Sequence, residues 1–537
     1  MPYHAVMHVA PPENEALARD RSWMWAALAL LVFVQVLVAS YFMRFAVIDD
    51  AFIVYRYAEN LVQGHGLVFN IGERVEGYTC FLWVVLLCLP LALGLDPLIA
   101  SRVLGAGFLA LTLVLSTYLF RVDRHRPMWS RLIAPALLAV NGAVALWSVH
   151  GLETALFTAL LTIAVRADIR EHGGTEFLSG WSAIWYALAA LARPEAGLMF
   201  GASCVFWAVT DRKRLASSPF WKHVLRFILV AVPFEIWRYA YYGDLLPNTF
   251  YSKVGLSLPL VSRGLVYVLR FFANPGGFVY LALVPAFITA RRDRRVAFLI
   301  WMVTAFHSVV VLEGGDAFPA WRFLVPIVPI LFFVVQEGVW EMVTRLATKC
   351  SHARAMCACF ALVFIAAAGV NVRFSFEEAD KQRRSAEEFT SSMKSVGLFL
   401  KKHLPPDARI ALNPAGAIPY YSRLYAYDML GLTDRHIGRA TVAEMGSGLA
   451  GHEKGDGAYI LDQRPEVILF GNVSIVPLGP IEFRDMRWTT LLKSEIEISR
   501  DPRTLKLYVL DQAPLGDGRY LVFLRRNDVV LGNNEPL

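Results

Sequence analysis

The stretch WMWAALALLVFVQVLVASYFMRFAVIDDAFIVYR, residues 23–56, combines the two features that decide the fold of this chain. Residues 23–43 are almost all apolar, and about 20 such residues suffice to cross a bilayer as a helix. Two arginines precede the run, and positive charge favours the cytoplasmic side, so we expect residues 1–22 in the cytoplasm. Two adjacent carboxylates, Asp49 and Asp50, follow the run. We therefore expect them at the extracytoplasmic boundary of the membrane.

The composition extends the apolar pattern to most of the chain. Of 537 residues, 56% are hydrophobic and only 18% are charged, whereas soluble domains are about 45–50% apolar and about 25% charged. These values exclude a disordered or fibrous protein. The net charge of +7 lies entirely within residues 1–372, because basic and acidic residues balance from residue 373 onward. No dense basic patch stands apart from the apolar runs, which argues against a nucleic-acid partner.

Eleven apolar segments are predicted to cross the membrane when the Lys- and Arg-rich loops all face the cytoplasm. They are 23–43, 98–120, 131–149, 152–167, 181–193, 196–210, 221–242, 276–290, 296–312, 322–340 and 355–372. Residues 80–95 are also apolar, but a span there would place the basic loop 121–126 outside. We expect them at the outer interface, within a first periplasmic loop over 44–97 that carries interfacial helices. The prediction is a multi-pass protein of the bacterial inner membrane, with its N-terminus in the cytoplasm.

Beyond residue 372 the composition becomes that of a soluble domain. Residues 385–404 carry apolar side chains at helical spacing. Short β-like runs follow, separated by Gly and Pro. These runs are 409–412, 466–470, 505–510 and 520–524. We therefore predict a polytopic α-helical membrane domain over 23–372 and a soluble α/β domain in the periplasm over 373–537.

Most of the unusual polar side chains fall at the predicted outer ends of the spans. They are Asp49, Asp50, Arg56, Glu76, Glu153, Arg193, Glu195, Asn248, Lys253, Asp316 and Arg322. Ionisable residues near a membrane core are costly and usually functional. Carboxylates gathered with Arg and Lys on one face indicate acid–base chemistry on an anionic ligand. Each also has an ordinary alternative: the Asp pair ends a span, Lys253 reaches lipid headgroups, or Arg193 pairs with Glu195.

One long segment and several short motifs resemble a known family. The long segment is DDAFIVYRYAENLVQGHGLVFN (49–70) with GERVEGYT (72–79), and the short motifs are GLETALF (151–157), RPE (193–195), LPNTFYSK (246–253), GGD (314–316) with RF (322–323), and DMLGLTD (428–434). The chain is similar to membrane glycosyltransferases of the GT-C fold, in particular the mycobacterial terminal arabinofuranosyltransferases. Two positions depart from that pattern: Cys80 stands where Asn is expected, and Ser252 where relatives often carry Ala.

The resemblance implies an inverting transfer of a sugar, arabinofuranose by analogy, from a polyprenyl-phosphate donor to a periplasmic glycan, lipid or protein. It also implies that the aspartate pair acts as catalytic base or metal ligand. We expect Asp49 as base and Asp50 as orienter or as ligand of a divalent cation, Mg²⁺ or Mn²⁺. The other polar residues named above are expected to bind substrate. The phosphate leaving group needs positive charge, which Arg193, Lys253 and Arg322 can supply.

Two other classes of function remain open from the sequence. A transporter or lipid flippase would place charged residues at the bilayer midplane and usually show internal repeats. A non-catalytic GT-C-like protein would have a role in assembly only. The charges crowd the outer ends of the predicted spans and the Asp49–Asp50 pair is intact, so the sequence favours the enzyme.

Overall fold

The computed structural model describes residues 13–117, 119, 126–173, 180–253, 255, 257–349, 352–442, 445–471, 474–476, 492–515 and 518–532. Helices make up most of the chain as far as residue 403. The helices are α1 (Glu13–Phe42), α2 (Asp50–Val62), α3 (Phe81–Ala92), α4 (Pro97–Thr117), α5 (Trp129–Ala139), α6 (Gly142–Val149), α7 (Thr154–Gly173), α8 (Trp181–Ala192), α9 (Glu195–Thr210), α10 (Ser218–Tyr242), α11 (Asn248–Lys253), α12 (Leu258–Ala273), α13 (Leu283–Ala290), α14 (Arg294–Leu312), α15 (Val328–Lys349), α16 (Ala353–His403), α17 (Ala417–Ser422), α18 (Arg435–Arg439), α19 (Gly457–Gln463), α20 (Lys493–Arg500) and α21 (Pro502–Leu507).

Several of these helices are suited to a membrane by length and composition. Five pass as single spans: Ser22–Phe42, Pro97–Thr117, Arg294–Leu312, Arg322–Thr348 and the N-terminal part of Ala353–His403. Two bent pairs each pass as one span: α5 with α6, bent by 54°, and α12 with Pro275–Ala290, bent by 80°. The helices α3, α8 and α9 are shorter and apolar. The polytopic helical membrane fold is confirmed, whereas the number of crossings and their orientation stay predictions.

Helices α12 and α3 bear on the spans predicted from the sequence. Helix α12 was not predicted, because Arg263 and Arg270 interrupt its apolar run; it folds back against α14 and continues into the predicted span 276–290. Helix α3 covers only 12 residues of the apolar segment 80–95. At 1.5 Å per residue it is about 18 Å long, less than the roughly 30 Å of a hydrocarbon core, which agrees with the expected interfacial position.

Helix α16 is a single helix of 51 residues that joins the membrane part to the C-terminal domain. Its first half exposes apolar side chains, including Leu362, Val363 and Ile365, as lipid contact requires. From Asn371 onward it buries a stripe of residues against the rest of the protein. The predicted boundary between residues 372 and 373 lies inside this helix, and the two helices expected there are continuous. The position at which α16 leaves the membrane therefore stays a prediction.

The C-terminal domain is built on a small mixed sheet. Its strands are β1 (Arg409–Leu412), β2 (Tyr425–Asp428), β3 (Val467–Ile468), β4 (Ser474–Val476), β5 (Tyr508–Pro514) and β6 (Tyr520–Arg526). Strand β1 pairs in parallel with β2 and β3, and β6 pairs antiparallel with β3, β4 and β5. The α/β class is confirmed. Strands β2 and β4 were missed, and residues 505–507, predicted as strand, end α21.

The C-terminal domain is fastened to α2 and to the loop that follows it. The guanidinium of Arg56, on α2, donates to the carbonyls of Phe69 (2.7 Å), Pro419 (2.5 Å) and Leu424 (2.8 Å). Asn70 adds two bonds to the backbone of Ala426, at 3.0 and 3.1 Å. Arg56 is buried, and burial lowers its pKa to about 9. The segments 49–70 and 416–428 thus fold as one unit.

We predict that Arg56→Met destabilises the protein strongly, because it strands three buried carbonyls at about 1–3 kcal/mol for each unsatisfied group. Arg423→Met is the matched control: Arg423 pairs with Glu59 at a half-exposed position, and such pairs are worth about 0–1 kcal/mol. Thermal unfolding of the detergent-purified protein should shift clearly for Arg56→Met and little for Arg423→Met. Equal shifts would contradict the anchoring role of Arg56.

Candidate functional site

Asp49 lies at the junction between the membrane part and the C-terminal domain. Its backbone carbonyl begins α2 by accepting from the amide of Phe52 at 3.0 Å. Its side chain accepts from the backbone N–H groups of Gly416 (3.1 Å) and Ala417 (2.8 Å), at the start of α17. Asp49 is only 7% exposed. Burial raises the pKa of its carboxyl to about 7, although the two amides oppose this and the charge of Asp50 adds to it.

Gly416 allows this approach because it has no side chain. A Cβ at Gly416 would overlap both the backbone oxygen and the carboxylate of Asp49. The close packing of the two segments therefore depends on a glycine at this position. No signal in the sequence marks Gly416 or Ala417 as partners of Asp49, since more than 360 residues separate them.

We predict that Gly416→Ala lowers the unfolding temperature of the purified protein, because the new methyl group displaces Asp49 from its two amide bonds. Gly107→Ala is the control, since a Cβ there meets no atom within 4 Å and sits inside α4. Alanine favours a helix over glycine by roughly 0.5–1 kcal/mol, so this control should be neutral or stabilising. A Gly416→Ala protein as stable as the wild type would refute the predicted overlap.

Asp50 is the more accessible carboxylate of the pair. It is the first residue of α2, and 31% of its side chain is exposed. One of its oxygens lies 3.4 Å from Nη1 of Arg322. Arg322 is itself held by Asp316, which accepts from Nε at 2.7 Å and from Nη2 at 3.1 Å. The result is a chain of charges in which Arg322 joins a fixed carboxylate to an accessible one.

Aromatic rings and a strained turn hold Arg322 in place. Its guanidinium lies 4.7 Å from the ring centre of Phe318 and 5.6 Å from that of Trp147. Such contacts stabilise a buried cation. The two residues before it, Ala320 and Trp321, have φ angles of 60° and 55°, which are uncommon for residues with a side chain. The indole of Trp147 donates to the carbonyl of Ala320 at 2.9 Å, which supports this conformation.

Arg193 forms the centre of a second ionic cluster beside the first. It donates from Nη1 to Glu153 at 3.0 Å and from Nε to Glu195 at 2.9 Å. The Arg-Pro-Glu break between α8 and α9 makes this possible, because it leaves Arg193 extended while Glu195 starts the next helix. The ring of Phe323 lies 5.0 Å from both Arg193 and Arg322 and so packs between the two clusters.

Glu313 joins this cluster and was not among the predicted site residues. It follows α14 directly, within the sequence EGGD, which could have indicated it. Burial raises the pKa of its carboxyl well above the usual value, and the negative charge of Glu195 adds to the effect. Glu313 thus adds a third carboxyl group to the surroundings of Arg193.

The other predicted binding residues lie outside these two clusters. Arg56 has the anchoring contacts described above. Glu76 pairs with Arg238 at 3.0 Å, and burial raises the pKa of its carboxyl to about 7. Asn248 uses its amide N–H groups to bind the carbonyls of the loop 431–434. The geometry thus gives these three residues structural contacts, and their roles in substrate binding stay predictions.

Lys253 differs from the two arginines in its surroundings. It is the last residue of α11 and is partly exposed. Within the residues that the structure describes, its ammonium group has no carboxylate partner and no hydrogen bond. Arg193 and Arg322 are already paired with carboxylates. Lys253 is therefore the predicted site cation with the most freedom to meet an incoming anion.

The surroundings of Asp50 do not form a metal-ligand set. Among the described residues, no group of three or more His, Cys, Asp or Glu converges to hold an ion. The partner of Asp50 is a guanidinium, and the second carboxylate of the pair is turned toward backbone amides. A divalent cation bound by Asp50 stays a prediction from the sequence.

Comparisons with known proteins define the fold. A crystal structure of ArnT from Cupriavidus metallidurans aligns with a TM-score of 0.56 over 94% of this chain and 98% of ArnT, at 12% identity. The fold is the GT-C fold. The same protein bound to undecaprenyl phosphate aligns with a TM-score of 0.54 over the same shares of both chains. At this identity, the likeness concerns the fold.

Two relatives in sequence carry the name of the enzyme group that the sequence motifs resemble. The terminal beta-(1->2)-arabinofuranosyltransferase of Mycobacterium tuberculosis is 28% identical over 240 residues, which are 42% of this chain and 37% of that protein. The enzyme of the same name from Corynebacterium glutamicum is 26% identical over 350 residues, 55% of this chain and 49% of its own length. The chain thus matches less than half of each of these relatives. Residues 379–522 match a family model described as Domain of unknown function (DUF8728).

Proposed function

We propose that this chain is a membrane glycosyltransferase that moves a sugar from a polyprenyl-phosphate donor to a hydroxyl group of an extracytoplasmic glycan, lipid or protein. The observation that carries the proposal is the accessible Asp50 beside the fixed guanidinium of Arg322. The similarity to terminal arabinofuranosyltransferases makes arabinofuranose the first sugar to test. We place the site at the outer face of the inner membrane, with the C-terminal domain in the periplasm.

Asp50 is the proposed catalytic base. This proposal differs from the expectation from the sequence, in which Asp49 is the base. Both oxygens of Asp49 already accept amide hydrogen bonds in a buried position, whereas Asp50 is open on one side. The carboxylate of Asp50 takes the proton of the acceptor hydroxyl as its oxygen forms a bond to the anomeric carbon. General-base help of this kind is typically worth about 10²–10⁴ in rate. Arg322 orients the carboxylate of Asp50.

The donor leaves as polyprenyl phosphate. The bond between the anomeric carbon and the phosphate oxygen breaks, and the phosphate keeps the electron pair. This developing charge needs a cation, and Lys253 is the proposed one because no carboxylate of the described residues engages it. Carboxylates outnumber cations around Arg193 and Arg322, so these arginines hold the acidic residues in position. An acidic cluster also stabilises positive charge on the anomeric carbon.

Membranes that contain the wild-type protein should release polyprenyl phosphate from a polyprenyl-phospho-arabinofuranose and transfer the sugar to an arabinan acceptor. Asp50→Asn keeps the size of the side chain but removes proton acceptance, and it should lower transfer about 10²-fold or more at equal protein levels. Wild-type membranes that neither release polyprenyl phosphate nor transfer any sugar from a panel of pentose and hexose donors would contradict the proposed function.

Lys253→Ala should raise the apparent KM for the donor. The loss of a charge-assisted hydrogen bond to phosphate costs roughly 1.5–3 kcal/mol, which corresponds to about a 10- to 150-fold weaker donor interaction. Lys401→Ala, at an exposed position on α16, is the control. An unchanged donor KM in Lys253→Ala would remove this residue from the phosphate site.

A chelator tests whether Asp50 acts as catalytic base or as ligand of a divalent cation. Because a guanidinium already compensates its charge, we expect transfer by the wild-type protein to persist in EDTA. Loss of transfer in EDTA, with recovery on addition of Mn²⁺ or Mg²⁺, would instead support the cation-ligand role expected from the sequence.

A further inference from the structure

An open cleft of about 960 Å³ lies in the C-terminal domain, away from the ionic clusters of the candidate site. Helices α18, α19 and α20 and the residues next to them form most of its wall. Glu73, from the loop after α2, closes one side. The cleft therefore lies where the C-terminal domain meets the segment that carries the candidate catalytic carboxylates.

The topology of the sheet places the cleft at a favoured position for a ligand. The chain passes from β1 to β2 on one side and then returns to β3 on the other side of β1, with all three strands parallel. Ligands of open α/β sheets bind outside the carboxyl ends of the strands, where the strand order reverses in this way. Helix α18 follows β2, and the N-terminal end of α19 precedes β3, so both lie at that edge.

The same edge of the sheet reaches the candidate catalytic carboxylates. Gly416 and Ala417, which follow β1, hold the side chain of Asp49. The loop after β2 is bound by Asn248, the first residue of α11. A molecule in the cleft would thus share one edge of the domain with the site of transfer.

The wall of the cleft contains a flat aromatic surface that is held in place. The rings of His436 and Tyr459 stack with their centres 4.1 Å apart and their planes at 16°. His436 pairs with Asp456 at 2.8 Å, and the hydroxyl of Tyr459 donates to Asp434 at 3.2 Å. Both rings are at least partly exposed. A fixed ring with an apolar face and a polar edge suits the C–H face and the hydroxyls of a sugar.

The charges of the cleft favour a neutral ligand. Its wall holds three cations, Arg435, Arg439 and Lys493, and three carboxylates, Glu73, Asp456 and Glu497. These formal charges cancel, so the cleft has no net attraction for a polyanion. Several of the groups already have partners: both arginines pair with Asp244, and Glu497 accepts from the amide of Gly457 at 2.7 Å.

Lys493 supplies the free hydrogen-bond donor of this cleft. It is exposed, and within the described ranges its ammonium group forms no hydrogen bond and no ion pair closer than 4 Å, although its charge acts on Asp456. Uncharged hydroxyl groups can accept from it, and the neighbouring carboxylates can accept from other hydroxyls of the same molecule. Aromatic stacking beside convergent donors and acceptors describes a site for a polyhydroxylated chain.

We propose that this cleft binds a neutral, hydroxyl-rich oligosaccharide, and that this oligosaccharide is the glycan acceptor of the transferase. The second clause rests on the proposed function, whereas glycan binding at the cleft does not. The C-terminal domain holds the body of the glycan at the stacked rings and Lys493. The growing end of the glycan extends along the same sheet edge toward Asp50.

Binding is measured on the full-length chain in detergent, by calorimetry, with a neutral arabinofuranose oligosaccharide as the probe. An oligogalacturonate of equal length serves as the charged comparison. We expect the neutral probe to bind more tightly than the charged one. Tyr459→Ala should weaken binding at least 10-fold. Lys493→Gln should weaken it about 2- to 10-fold, as expected for one hydrogen bond, and Lys401→Gln on α16 should leave it unchanged.

The outcomes separate this proposal from the proposed function. Asp50→Asn abolishes the proposed chemistry but should bind the neutral probe as well as the wild type. A wild-type chain that binds the probe without transferring sugar would refute the proposed transferase function and support glycan binding at the cleft. Three results would overturn the proposal that the cleft binds a neutral glycan. They are failure of the wild type to bind the neutral probe, tighter binding of the oligogalacturonate, and unchanged affinity in a folded Lys493→Gln protein.

Discussion

The hydrogen bonds from the backbone of Gly416 and Ala417 to the Asp49 carboxylate are the interaction on which the rest of the site depends. They connect the end of the first membrane helix to the C-terminal end of β1, across more than 360 residues of chain. Because these bonds occupy both oxygens of Asp49, the two adjacent aspartates have different partners. Asp49 becomes a structural link, and Asp50 is left facing the cluster of Arg322.

This division has an electrostatic reason. Two adjacent carboxylates disfavour joint ionisation unless positive charge or hydrogen-bond donors compensate them. Here the backbone amides face Asp49, and the guanidinium of Arg322 faces Asp50. Burial raises the pKa of Asp49 to about 7 and so disfavours the ionised form of this carboxyl. The arrangement leaves Asp50 partly exposed beside a guanidinium, at the position that we propose for the base.

Much of the fold was predictable from the sequence, because membrane spans and strands leave local signals. The apolar runs matched helices, and β1, β3, β5 and β6 arose near the expected positions. Local signals also explain the misses: two arginines concealed α12, and the short strand β2 carries three tyrosine or aspartate residues among its four. The continuity of α16 could not be read from composition, which changes within the helix.

The site was predictable in its membership but less so in its roles. Asp50, Arg322 and Asp316 converge as expected, and so do Arg193, Glu153 and Glu195. From the sequence we expect Asp49 as the base, whereas the contacts that support our proposal of Asp50 involve a distant glycine. Arg56 and Asn248 stood in the right motifs, yet their side chains bind backbone carbonyls. Such long-range contacts leave no periodic trace in a single sequence.

The comparison of Asp49→Asn with Asp50→Asn, at equal amounts of folded protein and saturating donor, tests the central claim most directly. The account predicts that Asp50→Asn loses sugar transfer at least about 10²-fold, whereas Asp49→Asn loses stability and retains most of its transfer per folded molecule. A folded Asp49→Asn protein that is inactive, beside an Asp50→Asn protein with near-normal transfer, would contradict it.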